Sequence, residues 1–174
     1  MENTNQNNIS DINQSTINDD YETKMLDAFI QKPEKLFWYK NAFAKYNVNG
    51  IDKMAWHWSW WAFFGDFWFL LYRKAYLAAL VVFILDILVS FIPFIGPLIF
   101  AILRGGYSTF FIYKKYIKLK QDIENVIPNE NERIETMRQV GGPNKWVIWL
   151  NILFVGLVVI GIISAIAIPN FTTN

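Results

Sequence analysis

Two ionisable residues, Asp86 and Arg104, each interrupt an otherwise apolar run, and each stands nine residues from Ile95. A charged side chain at membrane depth costs about 2.5–3.5 kcal/mol on insertion scales, so it needs a partner or a task. At about 1.5 Å per residue both lie roughly 13 Å from the turn Pro93–Pro97, near the middle of a hydrocarbon core about 30 Å thick. That symmetry predicts an interhelical ion pair fixing the register of a helical hairpin, with Gly105 and Gly106 letting the two helices approach closely. The alternative is functional: Asp86 binds or relays a proton or cation. Transport needs more polar groups along the spans, and Ser90, Ser108, Thr109 and Asn151 are few. The structural reading is therefore preferred.

Little else offers chemistry. The chain has no cysteine and a single histidine, His57, which excludes disulfides, thiolate metal sites and histidine-rich metal centres. Asp122, Glu124, Glu130, Glu132 and Glu135 lie on a solvated segment with no histidine or apolar wall to raise a pKa. No Ser, His and Asp set, zinc spacing or phosphate-binding loop is present. No catalytic, cofactor-binding or metal residue is assigned, and the expectation is a non-enzyme without cofactor. A formal charge of +1 argues against a nucleic-acid partner, which requires a basic face.

The elements that must position Asp86 and Arg104 follow from hydropathy. Hydrophobic residues make up 53% of the 174, but they are concentrated after a polar first third. Residues 1–20, rich in Asn, Gln, Ser, Thr and Asp, read as a disordered tail. Residues 21–54 read as short cytoplasmic helices: one capped by Asp19 or Asp20, a second opening at Pro33 with Leu36, Tyr39, Phe43 and Tyr46 on one face. That face is expected to pack on the rest of the protein. Residues 55–113 hold an interfacial helix and a transmembrane hairpin with spans near 75–92 and 97–113. Residues 114–145 form a cytoplasmic basic and acidic segment, and residues 146–174 a last transmembrane helix and tail, uncharged from Trp146 to Ile168.

The segment 55–72 is apolar but contains His57, Ser59, Gly65 and Asp66 and barely reaches spanning length. It is expected to lie in the interface or to dip in and return; a full crossing would make four spans. Its Trp56, Trp58, Trp60, Trp61 and Trp68 are candidate interfacial anchors, because indole is apolar yet carries an N–H that needs a polar partner. Lys and Arg set the orientation. Arg73, Lys74, Lys114, Lys115, Lys118, Lys120 and Lys145 flank the spans on one side, and the hairpin turn and the tail from Pro169 carry none. Positive residues stay in the cytoplasm, so the turn and the tail lie outside. Arg73, Lys74, Lys114, Lys115, Lys118 and Lys120 are candidates for lipid headgroups, each contributing about 1 kcal/mol near an anionic surface.

The string Trp60-Trp61-Ala62-Phe63-Phe64-Gly65, then Phe67-Trp68, then Leu71-Tyr72-Arg73-Lys74-Ala75-Tyr76, preceded by Ala28–Ile30 and Trp38-Tyr39, resembles a family of small bacterial inner-membrane proteins, the domain-of-unknown-function family numbered 2628. The likeness runs from about Phe29 to Lys118. The family usually has proline where this chain has Asp66. The resemblance implies a multi-pass protein of the bacterial inner membrane and no activity. A shorter likeness, Gly161 to Pro169, resembles the end of the membrane helix of type IV pilins; the positions matching the pilin processing site and glutamate are Val147 and Ile152.

The expected fold is thus an all-α integral membrane protein with three transmembrane helices, a hairpin plus a C-terminal span, and an interfacial aromatic helix. The expected function is a protein- or lipid-interacting membrane component, with membrane lipids and a protein partner or homo-oligomer as its contacts. The alternatives are an oligomeric transporter or channel subunit and, behind that, a pilin-like assembly component.

Overall fold

The computed structural model describes residues 2–172, and side chains for residues 16–167. For the expected tail over 1–20, residues 1–15 lie outside the described side chains. Residues 16–20 belong to α1 (Glu2–Ile30), where Asp20 pairs with Lys24 at 2.5 Å and Asp19 with Lys40 at 2.9 Å. Both aspartates therefore sit inside a helix instead of capping one.

Pro33 opens α2 (Pro33–Tyr46) as expected, and its Tyr39, Phe43 and Tyr46 are buried on one face. After α2 comes a small hairpin, β1 (Asn47–Val48) paired antiparallel with β2 (Ile51–Asp52). Asn49 and Gly50 take φ of 55° and 79°, the left-handed pair that a two-residue hairpin turn requires.

From Lys53 to Ser59 the chain is not helical, which corrects the single interfacial helix expected over 55–72. Helix α3 spans Trp60–Tyr72 only and is broken at Asp66. Ser59 starts it, its hydroxyl accepting from Ala62 N. Helix α4 (Tyr76–Ser90) and helix α5 (Ile95–Val126) form the expected hairpin about the prolines. Helix α5 continues through the lysine run. The acidic segment beyond it, expected only to be solvated, is a helix, α6 (Glu130–Val140), because Asn129 accepts from Asn131 N and Glu132 N and Met137 is buried beneath it. Helix α7 (Trp146–Thr172) closes the chain.

One core joins Met25 and Phe29 of α1, the aromatic face of α2, Tyr113, Tyr116 and Ile123 of α5 and Met137 of α6. Helices α1, α2 and α6 thus pack around the C-terminal half of α5, and α3 fills the angle between α4 and the N-terminal half. Gly142 N donates to Phe29 O at 2.8 Å, so the glycine pair before α7 is seated on the end of α1. Among the described residues, two helices are long and apolar enough to cross a membrane, Ile95–Val126 and Trp146–Ala167, and Tyr76–Ser90 is a shorter apolar helix.

Candidate functional site

The expected pair is formed: Arg104 Nη1 lies 2.6 Å from Asp86 Oδ1. It is not alone. The same nitrogen is 2.9 Å from Asp66 Oδ1, and the Arg104 side chain is only 8% exposed. Two carboxylates from α3 and α4 therefore share one buried guanidinium from α5.

Asp66 is there because α3 reverses at it, with φ 53° and ψ −148°. A non-glycine residue at such angles carries strain of order 1–3 kcal/mol and persists only where its surroundings fix it. Those surroundings are present. The first piece of α3 ends with unpaired carbonyls, and Arg104 donates Nε to Ala62 O and Nη2 to Phe63 O, each at 3.4 Å. At the start of the second piece, Asp66 Oδ1 accepts from Phe67 N at 2.6 Å. A cation thus meets the negative end of one helix piece and a carboxylate the positive end of the next. Asp86 Oδ2 is buried without a hydrogen-bond partner.

The glycines expected to draw α4 and α5 together do something else. The extended segment before α3 crosses α5 at Gly105 and Gly106, with His57 N donating to Gly106 O at 3.0 Å and Ser59 N to Gly105 O at 2.8 Å. Trp56 and Trp58 lie flat on these two residues: a Cβ on Gly106 would fall 2.4 Å from the Trp56 ring and one on Gly105 2.9 Å from that of Trp58. A helix surface without side chains is what admits two indoles and a passing backbone.

The level of each contact along α5 traces the path of residues 52–73. Asp52 meets Tyr113 and Lys114, Ser59 meets Gly105, Asp66 meets Arg104, and Arg73 O accepts from Lys115 Nζ at 2.9 Å. The chain leaves the Lys114–Lys115 level, descends to Arg104 and comes back.

The predicted cations and tryptophans are placed as follows. Arg73 is buried and donates Nη1 to Ile30 O at 3.1 Å, at the end of α1; Lys74 donates to Val140 O and Gly141 O, at the end of α6. Together with Lys115 on Arg73 O, three cations cap three helix C-termini, where the last carbonyls are unpaired and the helix dipole is negative. Lys114 pairs with Asp52, Lys120 with Glu22 and Glu124, and Lys118 is exposed. Trp56, Trp60 and Trp61 are exposed, and Trp68 rests on Phe154 of α7 at 5.8 Å between ring centroids.

Asp66 was the residue missed. The signal available was its place beside Gly65, where an acidic residue interrupts an aromatic run. Among the described residues, no group of three or more His, Cys, Asp or Glu side chains is placed to hold a metal ion. Comparison with protein-family models, with curated proteins and with solved structures finds no match to this chain.

Proposed function

We propose that the chain is a non-enzymatic, multi-pass membrane protein that acts by binding lipids or other proteins. The observation that carries this reading is the surface of α7. None of its most apolar eighteen-residue window is buried, and Trp149, Leu157, Ile160, Ile163 and Ile166 all lie open. A soluble monomer exposes apolar patches of a few hundred Å² at most. Hydrocarbon is the solvent that suits such a helix.

In this reading α4, the first half of α5 and α7 make three spans, with the resemblance stated above supporting the bacterial inner membrane. Helix α4 has 15 residues, about 22 Å, and the non-helical residues 91–94 complete the depth set by α5 between Ile95 and Lys115. The aromatic segment 53–72 dips in from the cytoplasmic side and returns. Non-helical backbone at that depth is tolerated only where protein satisfies it, as Gly105, Gly106 and Arg104 do. The count stays at three and the N-terminal helices stay inside.

The absence of cysteine makes the test direct. Single cysteines at Glu34, Phe94 and Asn131 are treated with an impermeant maleimide on intact cells. Phe94→Cys is expected to label, and the other two only after permeabilisation. Labelling of Glu34→Cys from outside would make residues 53–72 a crossing, and release of the protein by alkaline carbonate would end the membrane reading.

A second reading, an oligomeric transporter or channel subunit, is favoured by one observation: a helix broken at mid-depth with two carboxylates and a guanidinium at the break, the type of site transporters build. It predicts that Asp86→Asn abolishes ion flux in vesicles while assembly survives. Loss of assembly together with flux would return the cluster to a structural role.

A further inference from the structure

A cleft of about 690 Å³ lies between α2, the aromatic face of α3 and the first turns of α7. That volume falls within the roughly 300–1,000 Å³ of ordinary ligand sites. We propose that it holds one anionic phospholipid of the surrounding bilayer, its phosphate at Lys32, Lys35 and Arg73 and an acyl chain along Trp61, Phe64 and Trp68. The proposal rests on the membrane reading above and names the lipid class.

Charge is the first argument. Three cations and one carboxylate, the exposed Glu34, line the cleft, and none of the three cations has an ion-pair partner among the described residues. Arg73 is 5% exposed, and its Nε has no hydrogen-bond partner. A guanidinium that deeply buried ordinarily has an anion beside it. Here the Ile30 carbonyl at 3.1 Å and two aromatic faces hold it, Tyr39 at 4.8 Å and Tyr72 at 5.9 Å, while Lys32 lies 5.9 Å from the Tyr72 ring and Lys35 6.0 Å from that of Trp61.

Polarity is the second. Two residues that line the cleft, Arg73 and Trp58, each carry a buried polar atom without a partner, Nε and Nε1, and both are donors. The occupant they call for brings acceptors, as a phosphate diester does, on an apolar body that suits the indole wall. Position is the third. Arg73 sits at the level of Lys115 with Lys32 beside it on Tyr72, and the cleft reaches Val147 and Ile148 at the start of α7, so the Arg73 and Lys32 end lies at the cytoplasmic boundary in the proposed orientation. The groove between α4 and α5 also has lysines at its mouth. Of the four lysines there, Lys114, Lys115 and Lys74 are already bonded to Asp52, Arg73 O and the end of α6, which leaves Lys118 alone against the Lys32 and Lys35 pair of the first cleft.

Five of the tryptophans, Trp38, Trp58, Trp60, Trp61 and Trp68, line the cleft, so their emission reports its contents. The full chain is reconstituted in phosphatidylcholine vesicles, and acyl-brominated phosphatidylglycerol or acyl-brominated phosphatidylcholine is titrated in as quencher. Half-quenching is expected at a roughly twenty-five-fold lower mole fraction of the anionic lipid, since each of the two lysines contributes about a fivefold preference near an anionic surface. Lys32→Gln with Lys35→Gln should bring the ratio close to one, and Lys118→Gln, an exposed lysine outside the cleft, should leave it. Equal quenching by both lipids overturns the proposal, as does a ratio that the double change leaves intact or that Lys118→Gln lowers equally. Loss of the preference in excess inorganic phosphate would assign the cations to a free anion and overturn it too. Failure of the chain to stay with the vesicles after carbonate sinks the membrane reading; retention with no lipid preference sinks only this site.

Discussion

Asp66 and Arg104 stand 2.9 Å apart across the break in α3, and Arg104 also donates to two carbonyls of the piece that Asp66 ends. The ion pair between α4 and α5 is thereby one edge of a cluster that also holds a bend.

Removing the guanidinium is expected to release three elements at once. Breaking a buried pair by deleting one partner costs about 3–5 kcal/mol. Arg104→Ala should lower the thermal midpoint accordingly, and Arg104→Lys should recover only part of it, because an ammonium cannot serve two carboxylates and two carbonyls in a fixed fork. The exchange Asp86→Arg with Arg104→Asp should not rescue either single change, since it sets a carboxylate against Asp66 and leaves Ala62 O and Phe63 O without donors. Thermal unfolding in detergent decides. Full rescue would mean that Asp66 contributes nothing.

Gly106→Ala places a methyl group inside the Trp56 ring, and overpacking of this kind costs about 1–3 kcal/mol. Gly156→Ala and Gly161→Ala on α7 meet nothing within 4 Å and should be neutral or slightly stabilising through helix propensity. A shift in tryptophan emission should accompany Gly106→Ala alone. Equal behaviour of the three variants would remove the indole–glycine contact from the account.

Asp52 has its pKa held below the usual 3.8 by hydrogen bonds from Lys114 and Tyr113, with the charge of Lys114 adding to them. A depressed carboxylate pKa stabilises the folded state above its unfolded value and loses that contribution as pH falls through the folded one. The tether between β2 and α5 should therefore be constant from neutrality down to about pH 4 and weaken below it. Amide protection in residues 47–59, measured against the intrinsic exchange rate at each pH, should fall over that acid window in the wild type. Asp52→Asn should show the faster exchange already at neutral pH and lack the acid step.

What the sequence disclosed and withheld follows from which forces leave a mark in one dimension. The Asp86–Arg104 pair was legible because two equal distances from a proline turn are arithmetic on the chain. The buried face of α2 was legible because Tyr39, Phe43 and Tyr46 recur at helical spacing. The course of residues 53–66 was not. Its aromatic residues surround every face, so no period identifies a buried side, and the backbone bonds of His57 and Ser59 are made to a helix far along the chain. The break in α3 lies on Asp66, whose φ of 53° no spacing in the sequence announces. Helix α6 escaped because its charges hid a single cap, Asn129, and a single buried anchor, Met137.

The aromatic loop has a consequence for the order of events on the ribosome. Chains emerge from the N-terminus, and α3 is made before the helix whose glycines, arginine and lysine hold it. Until α5 arrives, His57 N and Ser59 N lack their acceptors, the carbonyls at Ala62 and Phe63 lack their donor, and Asp66 lacks its counter-charge. The loop must therefore wait unpaired and dock last, after the hairpin that follows it. Assembly runs against the direction of synthesis, and a chain stalled before Arg104 would carry its tryptophans into the cell unplaced.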